Sequence, residues 1–446
     1  MKKFNSCLII VLALSVLPSI VVFAQTSILK WQDGKKGCVT ITFDDGSINQ
    51  FRIAVPLMNE RGLHATFFII TGDIPGSKYQ PTFVGRSLKK IINESATIPT
   101  DKNNLFERCS AINYLALTNK YPELKDFSDM EALLGNQFDQ MKYKEVYSII
   151  DETYNKLRKS GRTYNFEREK REPEKGYHLT WDILSNVYNE GHEISNHTVS
   201  HPYMAVMDKA NILYEIDKCS QDIEEHLGVK RVLSIECPYG IDDKRVLSYV
   251  YPKFPFVRNG LTDPFIKEIL RGDTQEPVSE YEEYVQWQRG PVSKTSVDEM
   301  KKWIDETIQK NVWLVLVIHG VEGIGWEAIP KENLEKYFDY IKSNEKDLWV
   351  ATFQDAYKYI RERVNTKVKT DSITGTITIS LTCNLDPQIY DLPLTLKTKV
   401  PVDWQSAVLQ QGDKKTVLSI EKDRETAFVK YTALPNVSKI KISKND

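Results

Sequence analysis

The fold is decided by one stretch of sequence, Cys38-Val39-Thr40-Ile41-Thr42-Phe43-Asp44-Asp45-Gly46, in which an apolar run ends in two carboxylates. Two later runs end in a similar way, because residues 193–195 lead to His197 and residues 312–318 lead to His319. Apolar runs of this kind are typical of strands buried on both faces of a parallel sheet. The polar residues that follow them are therefore expected at the carboxyl ends of neighbouring strands, where parallel α/β barrels place their functional residues.

Helical patterns alternate with these runs from residue 37 to about residue 364. The pattern at 208–227 has apolar residues at helical spacing and stops at Gly228, a residue type that commonly closes a helix. Ser296-Val297-Asp298-Glu299 has the form of a capping box and predicts a helix through residue 308. The predicted strands are 38–43, 65–70, 193–195, 232–236, 312–318 and 348–352, and the predicted helices are 181–190, 208–227, 296–308, 331–343 and 354–364. This alternation predicts an α/β fold, a distorted parallel barrel of strands and helices.

Three parts of the chain are expected. Residues 1–24 have the form of a signal peptide, with Lys2 and Lys3 before an apolar stretch and Val22-Phe23-Ala24 at the cleavage point. The barrel is assigned to residues 25–365, with a helical insertion at about 75–175 that is too long for a simple loop and serves as a lid or as a peripheral decoration. Residues 366–446 show short alternating strands, which predict a small β-sandwich accessory domain. The mature protein is therefore expected to be secreted or periplasmic.

Composition and charge exclude several kinds of protein. The 446-residue chain carries 59 basic and 61 acidic side chains, so its formal net charge is −2. No concentrated basic face is expected from this balance, and nucleic-acid binding is not predicted. After residue 24, no segment is apolar and long enough to span a membrane. The six cysteines are widely spaced, which argues against a disulfide framework and against a thiolate metal site.

The polar residues at the strand ends form a ligand set for a catalytic metal. A carboxylate from Asp44-Asp45 and the imidazoles of His197 and His201 suit a divalent cation with one position left open for water. Pro202 disfavours helical conformation at His201, which argues against one exposed helix face carrying both histidines. A second carboxylate and His319 are then available for proton transfer. The pattern predicts metal-assisted hydrolysis, although each part taken alone also fits a polar turn or a core histidine.

Three segments resemble motifs of the polysaccharide deacetylases, which are also called NodB-homology proteins or carbohydrate esterase family 4. The segments are Thr42-Phe43-Asp44-Asp45-Gly46, His197-Thr198-Val199-Ser200-His201-Pro202 and Val317-Ile318-His319. They occur in the family's order, each at the end of a predicted strand. The resemblance covers about residues 37–364, apart from the insertion.

The resemblance implies a role for each of these residues. Asp45, His197 and His201 would bind the metal. Asp44 would be the general base that activates water, and His319 would be the acid that protonates the leaving group. The implied cofactor is a divalent metal, most often Zn²⁺ for a site of two histidines and one aspartate, with Co²⁺ or Ni²⁺ as substitutes.

One family motif is altered in this chain. The family has Arg-x-Pro-aromatic at this place, whereas the chain has Glu236-Cys237-Pro238-Tyr239. The family's arginine orients the base and is held by an aspartate, which is also missing near Trp287. Either Arg258 or Arg289 could supply the cation from another strand. Alternatively, Glu236 could raise the pKa of the base by repulsion, or the protein could have lost activity and kept a sugar-binding groove.

Further residues are candidates for substrate binding or for support of the site. The resemblance implies that the backbone N–H of Tyr239 helps to hold the oxyanion. The remaining candidates are Glu236, Pro238, Arg258, Trp287, Arg289 and Val317, of which Trp287 and Val317 fit either a small acetyl pocket or plain core packing.

The expected function is removal of N- or O-acetyl groups from a carbohydrate polymer or oligosaccharide by metal-activated water. The expected partner is therefore an acetylated carbohydrate. The alternatives are a non-catalytic glycan-binding protein on the same fold and a barrel glycosidase that uses Asp44 and Glu236 as its paired carboxylates.

Overall fold

The computed structural model describes residues 25–118, 120–124, 143–166, 178–240, 244–258, 269–270, 286–373 and 375–445. These residues form two compact units. The barrel unit comprises residues 30–364 and 385–392, and the sandwich unit comprises residues up to 29, 365–384 and 393–446. The predicted signal peptide and part of the predicted insertion lie outside the described residues.

The structure defines strands and helices in both units. The strands, in chain order, are β1 (Thr26–Ile28), β2 (Gly37–Phe43), β3 (Ala65–Ile69), β4 (Glu193–Asn196), β5 (Ser234–Glu236), β6 (Phe256–Arg258), β7 (Ile269–Leu270), β8 (Gln286–Arg289), β9 (Trp313–Ile318), β10 (Leu348–Val350), β11 (Thr366–Ile373), β12 (Thr376–Cys383), β13 (Leu394–Val400), β14 (Ser406–Gln411), β15 (Lys414–Ser419), β16 (Glu421–Asp423), β17 (Thr426–Ala433) and β18 (Ile440–Lys444). The α-helices are Val55–Asn59, Leu88–Glu94, Leu105–Leu117, Tyr143–Lys159, Trp181–Asn189, Lys209–Leu227, Lys244–Val250, Val297–Lys310, Lys331–Ser343 and Phe353–Asn365.

The barrel unit is built on one parallel sheet. Its strands run in the order β6-β5-β4-β3-β2-β9-β8-β7, and β10 pairs with the first residues of β2. Every residue of β2 is buried, as expected for a central strand with helices on its flanks. The predicted distorted parallel α/β barrel is confirmed.

The register of the sheet brings the carboxyl ends of the central strands together. Phe43 pairs with Ile318, so Asp44 and His319 leave the sheet side by side. Strand β4 pairs with β3 in parallel, and His197 follows β4 at the same edge. Residues that are far apart in the chain therefore meet above one edge of the barrel.

Local signals fix the helix Lys209–Leu227, which contacts β4. The Asp208 side chain accepts hydrogen bonds from the backbone N–H groups of Ala210 and Asn211 at its start. Gly228 follows the helix in the left-handed conformation, with φ 67°, which costs glycine little. The helix begins one residue later than predicted and ends at the predicted residue.

The described part of the insertion is helical and has buried contacts of its own. Arg108 is 1% exposed and donates to the Thr100 hydroxyl at 2.8 Å, close to the carboxylate of Asp151. The Tyr154 hydroxyl donates to the carbonyl of Arg108 at 3.0 Å. A segment this long that builds its own interior is a structured addition and not an extended loop.

The sandwich unit contains two antiparallel sheets. One has the order β1-β13-β17-β16 and the other the order β11-β12-β18-β14-β15. Burial alternates along β12 and β17, as expected for strands that are packed on one face. The predicted C-terminal β-sandwich is confirmed.

The limits of the two units differ from the boundary drawn from the sequence. Strand β1 pairs with β13, with Thr26 opposite Thr398, although residues 25–365 were assigned to the barrel. Residues 385–392 lie in the barrel unit, although they fall within the predicted sandwich. Both differences arise from contacts between distant parts of the chain, which local patterning does not reveal.

Two further features of the chain concern its surroundings. The five described cysteines are all buried, and none of them forms a disulfide bond. In the part of the chain that the structure describes, no helix combines the length and the apolar character needed to cross a bilayer.

His192 makes the stability of the barrel unit depend on pH. Its Nδ1 accepts the backbone N–H of Ala65 at 3.1 Å, and its Nε2 lies 2.9 Å from the side-chain oxygen Oδ1 of Asn59, so the neutral ring fits this site. Burial, together with the nearby His64, lowers the pKa of His192 to about 4. An unfolded histidine has a pKa of about 6.5 and so binds more protons than the folded one between these two values.

We therefore expect the free energy of unfolding to fall as the pH falls from about 6.5 towards 4. The stabilisation is fully present above this range, and the difference between the two pKa values corresponds to at most about 3 kcal/mol. His192→Asn keeps an acceptor for the Ala65 N–H and should flatten this part of the profile. Urea denaturation at several pH values measures the effect, and parallel profiles for both proteins would refute it.

Candidate active site

Three side chains converge on one point in the way that a divalent cation requires. Asp45, His197 and His201 each place a potential ligand atom within 4.8 Å of the others. The Nε2 atoms of the two histidines lie 3.5 and 3.4 Å from Asp45 Oδ1. That oxygen is buried, and it makes no hydrogen bond of ordinary geometry to any residue the structure describes. Because a buried carboxylate oxygen without a partner is costly, the arrangement fits a bound cation.

Unusual backbone conformations aim these ligands. Asp45 follows the end of β2 with φ 71°, and Thr198 and His201 have φ 67° and 57°. The left-handed region costs such residues of the order of 1 kcal/mol or more, so other contacts must hold them there. Part of that support is local, because the His201 N–H donates to the Thr198 hydroxyl at 2.9 Å.

The orientation of His197 leaves its Nε2 atom available. This residue is buried, and its Nδ1 lies 2.9 Å from the carbonyl oxygen of Glu236. Since a carbonyl only accepts hydrogen bonds, Nδ1 carries a proton, and Nε2 is the ring atom directed towards Asp45. A second hydrogen bond of this kind is what fixes the ring of a metal-binding histidine.

Protonation favours metal binding at two of the three ligands. Burial would raise the pKa of Asp45, but His197 and His201 outweigh it and lower that pKa to about 2. Burial, reinforced by His197, lowers the pKa of His201 to about 4. At neutral pH Asp45 is therefore an anion and His201 a neutral imidazole, which are the forms that bind a cation.

Asp44 is held by a guanidinium that comes from the neighbouring strand. Its carboxylate is 2% exposed and accepts two hydrogen bonds from Arg258, at 2.9 and 2.5 Å. Arg258 Nε also donates to Glu236 at 3.2 Å. The last residues of β5 and β6, Glu236 and Arg258, are paired directly across the sheet. Arg258 therefore supplies the cation that the altered motif lacks.

The electrostatics of this group follow from burial and from the shared guanidinium. Burial would raise the pKa of Asp44, but Arg258 and the nearby histidines outweigh it and lower that pKa. Any repulsion from Glu236 is therefore outweighed at Asp44, whose net pKa shift is downward. Burial raises the pKa of Glu236 itself, against the opposing effect of Arg258.

The other predicted arginine and tryptophan lie elsewhere. Arg289 donates to the carbonyl of Gln288 at 2.9 Å and lies over the ring of Trp287, 4.4 Å from its centre. Trp287 is 2% exposed and belongs to the main hydrophobic core. Pro238 is buried, whereas Val317 borders the cavity described below.

His319 also lies beside Asp44. Its Nε2 lies 3.5 Å from Asp44 Oδ2, and its side chain is partly exposed. The Gln50 amide donates to the carbonyls of both His319 and Asp44, at 2.6 and 2.5 Å. Gln50 thus ties together the ends of β2 and β9. Gln50 is not among the residues predicted for the site, since no motif marks a residue that acts through backbone carbonyls.

These side chains open into a cavity of about 590 Å³. Two aromatic residues on its rim are exposed, Trp326 at 63% and Tyr239 at 54%. Trp326 meets the ring of His319 edge-on at 4.9 Å, and Tyr239 stacks on Tyr203 at 4.7 Å. Trp326 is not among the residues predicted for the site. Its position seven residues after His319, in a glycine-containing loop, was a usable signal of its place at the cavity.

A comparison with known families fits this geometry. Residues 32–95 and 137–251 match the family model described as polysaccharide deacetylase. Over these two segments, which make up less than half of the chain, the protein is similar to polysaccharide deacetylases. The matched part of the chain contains the Asp44-Asp45 pair, His197 and His201, whereas Arg258 and His319 follow it.

Individual relatives are distant. The chain is 31% identical over 67 residues to an uncharacterized 30.6 kDa protein in the fumA 3' region of Geobacillus stearothermophilus, which is 15% of this chain and 25% of that protein. The matched segment thus spans about a quarter of that curated relative.

The solved structures to which the chain is similar are also distant in sequence. A family 4 carbohydrate esterase from Bacillus anthracis has a TM-score of 0.34 and 15% identity, with 72% of this chain and 83% of that chain covered. A putative polysaccharide deacetylase from Mycobacterium smegmatis has a TM-score of 0.40 and 10% identity, with 78% and 98% covered. A family 4 acetyl xylan esterase from Clostridium thermocellum, in complex with a cobalt ion, has a TM-score of 0.32 and 13% identity, with 72% and 90% covered.

Proposed function

We propose that this protein is a metal-dependent hydrolase that removes N- or O-acetyl groups from a carbohydrate polymer or oligosaccharide. The observation that carries the proposal is the convergence of two groups of side chains in one cavity. Asp45, His197 and His201 bring potential metal-ligand atoms together at one point. Beside them lies the buried carboxylate of Asp44, which Arg258 holds in place. The family match supports the same chemistry.

The proposed ligand atoms are Asp45 Oδ1 and the Nε2 atoms of His197 and His201. Zn²⁺ suits two imidazoles and one carboxylate, and Co²⁺ or Ni²⁺ would be accepted by the same donors. When bound there, such a cation lowers the pKa of water and polarises the acetyl carbonyl. The left-handed backbone at Asp45 and His201 fixes the directions of the donors before any ligand arrives.

Asp44 is proposed as the general base. Arg258 keeps the pKa of its carboxyl low, so that it is an anion ready to accept a proton from the attacking water. The two-point contact with the guanidinium fixes the plane of the carboxylate. In this role Arg258 replaces the arginine of the usual family motif from an adjacent strand.

His319 is proposed as the general acid, and the backbone N–H of Tyr239 as an oxyanion donor. His319 lies next to Asp44 on the side towards the open cavity, and imidazole is well suited to donate a proton near neutral pH. Tyr239 has φ 61°, a conformation that re-aims the backbone directly after Pro238. A donor aimed at the developing oxyanion stabilises the tetrahedral intermediate.

The exposed aromatic rings on the cavity rim suit a carbohydrate substrate. Aromatic faces pack against the apolar faces of sugar rings, and Trp326 and Tyr239 are the rim residues that offer such faces. We expect Trp326→Ala to raise KM for an acetylated oligosaccharide by about threefold to tenfold, since one stacking contact contributes about 0.5–1.5 kcal/mol. Steady-state kinetics measure this change.

A matched control for this prediction is Tyr188→Ala, which removes an aromatic residue that is 40% exposed and lines a different cavity. KM should be unchanged in that variant. If Trp326→Ala lowers kcat and leaves KM alone, the ring supports His319 and does not bind sugar.

Acetate release from a panel of acetylated glycans tests the proposed function. The panel should include chitin-like, peptidoglycan and xylan oligosaccharides, each with metal-loaded and chelator-treated protein. Release that stops in chelator and returns with Zn²⁺ supports the proposal. Binding without release would indicate a glycan-binding protein, and chain cleavage that persists in chelator would indicate a glycosidase.

A further inference from the structure

One helix contacts both the insertion and the loop at residues 197–202. We call residues 197–202 the ligand loop, because they carry His197 and His201. The helix Lys209–Leu227 accepts contacts from the insertion along its length: Asn211 exchanges two hydrogen bonds with the backbone of Val84, at 2.7 and 3.0 Å. The Asp222 carboxylate likewise accepts the N–H groups of residues 78 and 79. The first part of the insertion, residues 78–84, is therefore docked on this helix at two points, Asn211 and Asp222.

The same helix also holds the ligand loop. The Glu215 carboxylate is fully buried and accepts the N–H of Ser200 at 2.8 Å and the hydroxyl of Ser200 at 2.7 Å. Ser200 directly precedes His201, whose φ is 57°. Both polar groups of Ser200 are thus fixed to one carboxylate, which restrains the residue that sets the direction of His201.

A third hydrogen bond to Glu215 comes from the insertion. The Tyr114 hydroxyl, in the helix Leu105–Leu117, donates to Glu215 Oε1 at 2.5 Å. Tyr114 is 2% exposed, so water does not compete for this contact. The same oxygen also accepts the Ser200 hydroxyl, so a loss of the tyrosine donor would leave a buried carboxylate oxygen undersatisfied and free to shift.

We propose that Tyr114 is a positioning residue for the metal site, acting through Glu215 and Ser200 on His201. The insertion would then stabilise the conformation of the ligand loop, in addition to any contact that it makes with substrate. This inference rests on the proposed metal-binding function. Its physical basis is that residues which orient metal ligands without touching the metal alter metal affinity when they are changed.

The test compares two conservative variants in the same insertion. Tyr114→Phe removes only the hydroxyl that contacts Glu215. Tyr154→Phe removes a hydroxyl that is equally buried but donates to the carbonyl of Arg108. Metal affinity of each full-length protein is measured by competition with a chromophoric chelator, with Zn²⁺ and Co²⁺ as probes. We expect Tyr114→Phe to weaken affinity about tenfold and to change the Co²⁺ absorption spectrum, and Tyr154→Phe to leave both unchanged.

A double-mutant cycle makes the result decisive. Ser200→Ala removes the next link, so the effects of Tyr114→Phe and Ser200→Ala on metal affinity should be less than additive. Unchanged affinity in a folded Tyr114→Phe protein overturns the inference, and so do fully additive effects. If Tyr114→Phe fails to fold, Glu215→Gln in place of it gives the same cycle with Ser200→Ala. Wild-type protein that binds neither metal overturns the proposed function itself, which is a distinguishable outcome.

Discussion

Replacing Asp44 by Asn is expected to lower kcat about 10³-fold while metal affinity stays close to that of the wild type. General bases typically contribute about 10²- to 10⁴-fold to turnover, and this carboxylate is buried, ionised and fixed by Arg258. Asn keeps the shape and one carbonyl acceptor but cannot take up a proton. Asp44 is not one of the three converging ligands, so its loss should not release the metal.

The measurement pairs acetate release with a metal-binding assay on the same protein samples. Asp73→Asn is a suitable control, because Asp73 lines a second cavity that also borders Asp45. That variant removes a nearby carboxylate and should leave kcat within about threefold of the wild type, as a single exposed charge has little effect on turnover. An Asp44→Asn protein with near-normal kcat would exclude Asp44 as the base.

Replacing Arg258 by Met is expected to lower the free energy of unfolding by about 3–5 kcal/mol. The change leaves Asp44 and Glu236 buried without their shared cation, and both side chains are 2% exposed. Removing one partner of a buried ion pair is costly because the remaining charge has neither water nor a counter-ion. Turnover should also fall sharply, since the carboxylate of Asp44 would lose its fixed plane. Urea denaturation of the metal-free protein measures the stability change.

Two further variants test this explanation of the Arg258 effect. Adding Glu236→Gln to Arg258→Met removes one of the two buried carboxylates left without a counter-ion. This double change should restore part of the lost stability. Arg289→Met removes another buried arginine, which lies over Trp287 on β8, and it should cost less stability than Arg258→Met, because Asp44 and Glu236 keep their cation. A loss below about 1 kcal/mol in Arg258→Met would show that the guanidinium does not hold the two carboxylates together.

The parts of the fold that could be predicted are those with strong local patterns. The buried run of β2 and the capped helix Lys209–Leu227 are each visible over a few residues of sequence. The convergence of Asp45, His197 and His201 could also be predicted, because parallel strands bring their carboxyl ends together whatever their separation in the chain. The structure places the three residues at one point, as that argument requires.

Features that depend on pairing between distant strands could not be predicted. Arg258 acts on Asp44 only because β6 lies beside β5 in register, with Glu236 opposite Arg258. Nothing near Arg258 in sequence marks it, and Arg289 was an equally good candidate before the register was known. Strand β1 joins the sandwich unit for a similar reason, since its partner is β13 near the other end of the chain.

Contacts made through the backbone were equally hidden. Gln50 joins the carbonyls of Asp44 and His319, and any residue that placed an amide there would do the same. The link from Tyr114 through Glu215 to the ligand loop joins three segments that share no motif. Such residues are recognised only when burial and hydrogen-bond partners are both known.

Titration of the metal-free protein with Zn²⁺ is the most direct test of the proposed function. Acetate release from the best substrate is followed as metal is added, in the wild type and in Asp45→Ala. We expect activity to rise in proportion to added metal, to level off at one ion per chain and to be abolished in Asp45→Ala. Full activity in the metal-free protein, or normal activity in Asp45→Ala, would contradict it.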